Sequence, residues 1–126
     1  MEEKEVFLEK YVILSWLIAL SLAITIFYVS SLTFGLGGAG GILSYLYHFF
    51  IFFWLSFFLS IAFTRARKIS LIIPAIFISL FYAVSDEFHQ LFIPGRAGSF
   101  GDFLIDSLGI FLAAFLYLWT VKIRKK

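Results

Sequence analysis

Asp86, Glu87, His89, Gln90, Arg96, Ser99, Asp102 and Asp106 fall in one stretch, SDEFHQLFIPGRAGSFGDFLID, that runs from Ser85 to Asp106 between two long apolar runs. A second histidine, His48, stands alone in another apolar run. The residue types define the chemistry open to them. Carboxylates beside an imidazole can work as general acid and base. The same oxygen-rich set suits Mg²⁺ or Mn²⁺ better than a soft metal, and such an ion could activate water or polarise a phosphoryl group. Asp86, Glu87, Gln90, Asp106 and His48 are therefore the catalytic candidates. Arg96, with Ser99, His89 and Asp102 around the start of the next helix, suits an anionic ligand, since a guanidinium and the N–H groups of a helix start both favour phosphate or carboxylate.

Each of these residues also has a purely structural use. Ser99-x-x-Asp102 has the form of a capping box, with the serine at N-cap and the acid at N3. Arg96 can pair with Asp86, Glu87 or Asp102 and steady the loop. His48 can be an interior histidine held by hydrogen bonds, and Glu87 and His89 can reach interfacial water. Asp86 and Asp106 lack so simple an account, because an acid deep in a membrane span marks function by default.

The rest of the chain is built to place these groups in a membrane. It is 62% hydrophobic with 14% charged residues and a mean hydropathy of +1.00, against about 25% charged residues in a soluble domain. Cysteine is absent, which excludes disulfides and thiolate metal sites. The net charge of +2 and basic residues gathered at loop ends argue against nucleic acid. No H-E-x-x-H or P-loop occurs. Gly35 to Gly40 fits G-x-G-x-x-G in form, but no acid follows before Asp86, so the glycines are expected to form a linker. The mixed-sign start MEEKEVFLEK does not have the form of a signal peptide, and the first apolar run is expected to be retained.

Four spans are predicted, at Tyr11 to Leu32, Ile42 to Phe63, Ile69 to Phe92 and Phe103 to Val121, each near the ~20 residues that cross a hydrocarbon core. The fold class is an all-α membrane protein, a bundle of four transmembrane helices in one domain over residues 1–126. Lys4, Lys10, Arg65, Arg67, Lys68, Lys122, Arg124, Lys125 and Lys126 fall on one side of these spans and Arg96 alone on the other. The positive-inside rule then predicts that both termini are cytoplasmic.

Depth follows from the rise per residue. At ~1.5 Å each, Asp86 stands about 26 Å from Ile69, Asp106 about 23 Å from Val121 and His48 about 24 Å from Thr64. Three helices thus carry a titratable group to one level, just beneath the outer interface. Asp102, Asp106, Gly109 and Ala113 share a narrow stripe of the fourth helix at 100° per residue, where small residues permit close helix contact. Asp86, Glu87, His89 and Gln90 cover one broad side of the third. The acidic stripe is expected to face inward, so that the polar groups converge.

These residues resemble the signature region of the VanZ-like family of small membrane proteins. The similarity rests on Asp86, Glu87 and Gln90 closing one span, the turn Pro94-Gly95-Arg96, Asp102, and Asp106-x-x-Gly109 opening the last span. His48-Phe49 and Ser30-Ser31 belong to the same pattern. One departure is Asp106, where the family often carries Asn. The resemblance implies a prokaryotic protein of the cytoplasmic membrane, in a family named for low-level resistance to the glycopeptide teicoplanin. The expected function is binding of an anionic or lipid-linked envelope component at an outer-leaflet site, with membrane lipid as surroundings. The alternative is an intramembrane enzyme that acts on a phospholipid or lipid-linked substrate through the acidic cluster, with or without a divalent cation such as Mg²⁺.

Overall fold

The computed structural model describes residues 2–32, 41–65, 67–95 and 99–124. They form four α-helices: α1 (Glu2–Ser30), α2 (Ile42–Thr64), α3 (Ile72–Gln90) and α4 (Phe100–Arg124), with a 3₁₀ turn (Ile69–Leu71) leading into α3. No strand occurs among the described residues. Four segments are long and apolar enough to cross a membrane: Lys10–Ser30, Ile42–Thr64, Ile69–Gln90 and Phe100–Ile123.

The helix ends follow local chemistry. Pro74 stands in the first turn of α3, where its missing N–H would have had no intrahelical partner. The third helix stops at Gln90, two residues before the predicted Phe92. The N–H groups of Leu91, Phe92 and Ile93 bond carbonyls three residues back, at 3.1–3.2 Å. This tightened turn runs into Pro94, which disfavours helix in the residue before it. The fourth helix begins at Phe100, ahead of the predicted Phe103, directly after Ser99. The predicted linker glycines 35–40 lie outside the described residues.

The core forms chiefly between α2 and α4. His48, Phe52, Ser56, Ser60 and Thr64 recur every fourth residue along α2, and all are buried, as expected of one face of a helix. Opposite them stand Asp106, Ile110, Ala113, Ala114 and Tyr117 of α4. Ser56 Oγ crosses the interface and donates to the Ile110 carbonyl at 3.1 Å. His48 meets Asp106 at one end and Thr64 meets the Tyr117 hydroxyl at the other, so the two helices run parallel. Gly109 explains their closeness: a Cβ placed there would lie 2.4 Å from the Phe49 carbonyl oxygen. Small residues at helix contacts have this role in membranes, where no hydrophobic force drives helices together.

α1 and α3 flank this pair. Tyr82 of α3 donates to the Ala23 carbonyl of α1 at 2.5 Å, and Ala19, Ile26, Ala75 and Ala83 share one core cluster with Phe52, Leu55 and Ile110. The outer surface is apolar: Leu43 is 79% exposed and Phe81 74%. Lipid can cover such a surface; water would not do so cheaply.

Candidate functional site

The polar groups collect at the end of the bundle that holds the α1–α2 and α3–α4 connections. Each helix brings its residue there by position along its axis. His48 lies in the second turn of α2, Asp86 and Glu87 in the last turn of α3, and Asp106 in the second turn of α4. One ligand atom from each of these four residues lies within 4.8 Å of all the others.

The centre of the group is a pair. His48 Nδ1 and Asp106 Oδ1 are 2.9 Å apart, and the two residues are 2% and 0% exposed. The second nitrogen of the ring, Nε2, stands 4.0 Å from Asp102 Oδ2. Tyr47 packs edge-on against the His48 ring. Asp86 is buried, and its Oδ2 accepts a hydrogen bond from the Gln90 amide at 3.4 Å. The spacing of four residues puts Gln90 on the same face as Asp86, where its amide holds the carboxylate.

Glu87 also makes a contact that the local sequence pattern did not indicate. Its Oε2 accepts the Ser99 backbone N–H at 2.9 Å. In a full capping box that N–H would be taken by the N3 acid of the same helix, Asp102. Here only half of the box forms: the Asp102 N–H donates to Ser99 Oγ at 3.3 Å, while the Asp102 carboxylate stands near His48. A residue of α3 thus closes the start of α4. The Ser99 N–H, one of the groups expected to receive an anion, is already engaged.

His89 does not join the cluster. Its Nε2 is 2.9 Å from Ser31 Oγ, and its ring stacks on Phe27 of α1 at 4.8 Å. At 100° per residue, His89 and Gln90 point to different seams of the bundle, so the broad polar side of α3 is divided between α1 and the cluster. Arg96 lies outside the described residues. Tyr47 is a site residue that the sequence did not single out; its adjacency to His48 was the one signal of contact with the site.

Two oxygens stand out. Asp106 uses Oδ1 for His48 and Glu87 uses Oε2 for Ser99; among the described residues, the buried Asp106 Oδ2 and Glu87 Oε1 have no hydrogen-bond partner. Buried carboxylate oxygens without partners are costly and call for an explanation. Burying several carboxylates together calls for counter-charge, for protonation, or for both.

An apolar four-helix bundle with spans of membrane length and one buried carboxylate–imidazole cluster defines a small multi-pass membrane protein. The VanZ/LLP1 family model matches residues 15–122, which takes in the second and third spans, most of the first and fourth, and every residue of the cluster. The chain belongs to this family and is a VanZ-like envelope membrane protein. No curated protein and no solved structure matches it.

Proposed function

We propose that the polar cluster opens to the outer leaflet and takes the head group of an anionic or lipid-linked envelope component, and that this binding lowers susceptibility to glycopeptides such as teicoplanin. The observation that carries the proposal is the group His48, Asp86, Glu87 and Asp106, set at one end of a largely apolar bundle; by rise per residue that end is expected near the head-group level. Acids so placed cost folding free energy unless function retains them. The exposed apolar flanks of α3 and α4, among them Phe88 and Leu104, with Phe92 in the turn after α3, suit the acyl or prenyl part of such a ligand. The carboxylates repel an anion by themselves, so positive charge would come from protonated His48, from Arg96 further along the chain, or from a bound cation.

The hydrogen-bonded His48–Asp106 pair favours a second reading. A carboxylate that fixes one ring nitrogen orients the other for proton transfer, and an enzyme acting on a phospholipid or lipid-linked substrate would use it so.

The test is teicoplanin susceptibility in a sensitive host that expresses the wild type, Asp86→Asn or Asp102→Asn at equal membrane levels, read beside native mass spectrometry of co-purified lipid. Asp86→Asn is expected to lose both protection and lipid, and Asp102→Asn to be milder. Full protection by Asp86→Asn, or loss explained by unfolding alone, would sink the binding proposal. Turnover of the retained lipid by the wild type would select the enzymatic reading.

A further inference from the structure

We infer that His48, Asp86, Glu87 and Asp106 form a binding site for one divalent first-row cation, of which Mn²⁺ is the representative. The inference deepens the proposed function, since the ion would supply the positive charge that an anionic head group needs, but it stands on its own geometry.

The first observation is distance. Donor atoms opposite each other across an octahedral ion are separated by about twice the bond length, ~4.2 Å for bonds of 2.0–2.1 Å. The four donors here all lie within 4.8 Å of one another. They come from three helices, α2, α3 and α4, that pack on one another, so a small inward movement closes them around one ion.

The second observation is independent of the clustering. Two buried carboxylate oxygens, Asp106 Oδ2 and Glu87 Oε1, have no hydrogen-bond partner among the described residues, while the other oxygen of each carboxylate is anchored, one to His48 and one to the Ser99 N–H. Asp106 is fully buried, so water does not satisfy its second oxygen from bulk. Each carboxylate is thus fixed by one oxygen and presents the other. Support of this kind orients ligands in metal sites.

The donor set selects the class of ion. Three carboxylates and one imidazole, with no thiolate in the chain, suit Mn²⁺ and its neighbours better than Cu⁺. Magnesium prefers to keep several waters and fits a buried set less well. A bound divalent ion would balance part of the negative charge that Asp86, Glu87 and Asp106 bring into the bundle and could leave coordination positions for phosphate oxygens of a head group.

The test uses purified full-length protein in detergent, stripped with chelator and titrated with Mn²⁺ alone, with free Mn²⁺ followed by electron paramagnetic resonance. Saturable binding of one ion per chain is expected, weakened at least tenfold in Asp86→Asn and in Glu87→Gln and unchanged in Lys122→Gln at the opposite end of the bundle. Glu87→Gln retains an amide oxygen for the Ser99 N–H, so helix content by circular dichroism and elution as a single species will show that it folds. Zn²⁺ should displace Mn²⁺, in keeping with its higher rank for such ligands, and Mg²⁺ should do so only at much higher concentration. No saturable binding by folded wild type, or binding that both cluster variants leave intact, overturns the inference. Retained ion binding in a protein that co-purifies without anionic lipid would overturn the lipid proposal and leave the cation site standing.

Discussion

Replacing Gly109 by alanine should separate α2 from α4 just beneath the His48–Asp106 pair. The added Cβ would lie 2.4 Å from the Phe49 carbonyl oxygen and 3.2 Å from the Phe53 nitrogen. Close carbon–oxygen contacts settle at ~3.3–3.6 Å, so the backbones must move apart by about 1 Å. Overpacking of this kind costs ~1–3 kcal/mol, and the clash is with backbone, which cannot rotate away, so the upper half of that range applies. Alanine returns ~1 kcal/mol as a better helix former. The net loss is about 1–2 kcal/mol, or a melting temperature about 3–8 °C lower for a chain of this size. The assay is thermal unfolding in detergent, with Gly101→Ala beside it. A Cβ at Gly101 meets only the Ser99 hydroxyl, at 3.3 Å, and this variant should melt close to the wild type. A Gly109→Ala protein as stable as the wild type, or a Gly101→Ala protein that loses as much, would refute the claim that close backbone approach at Gly109 sets the α2–α4 distance.

The start of α4 should depend more on Glu87 than on Ser99. Ser99→Ala removes one long capping bond and should cost ~0.5–1 kcal/mol, whereas Glu87→Ala leaves the Ser99 N–H without its acceptor, a loss of ~1–3 kcal/mol; equal melting temperatures for the two variants would contradict the cross-helix cap. Cysteines placed at residues 2 and 126 should react with an impermeant reagent only from the cytoplasmic side, and labelling of either end on intact cells would reverse the assigned orientation.

The four spans were legible in the sequence because a bilayer imposes a length and an apolar composition that few other environments require. Capping and turn residues placed the ends to within a few residues. The level shared by His48, Asp86 and Asp106 could also be counted, since rise per residue is nearly constant along a helix. Spacing of 100° per residue relates residues on one helix, but it says nothing about how that helix is rotated against its neighbours. Packing decided that rotation. Gly109 and the small residues of α4 bring α2 close enough for His48 Nδ1 to meet Asp106 Oδ1. The same packing turns His89 away to Ser31 and gives the Ser99 N–H to Glu87, a residue of another helix, where local pattern pointed to Asp102. These pairings join residues 12 to 58 positions apart in the chain, and only contact between helices could select them.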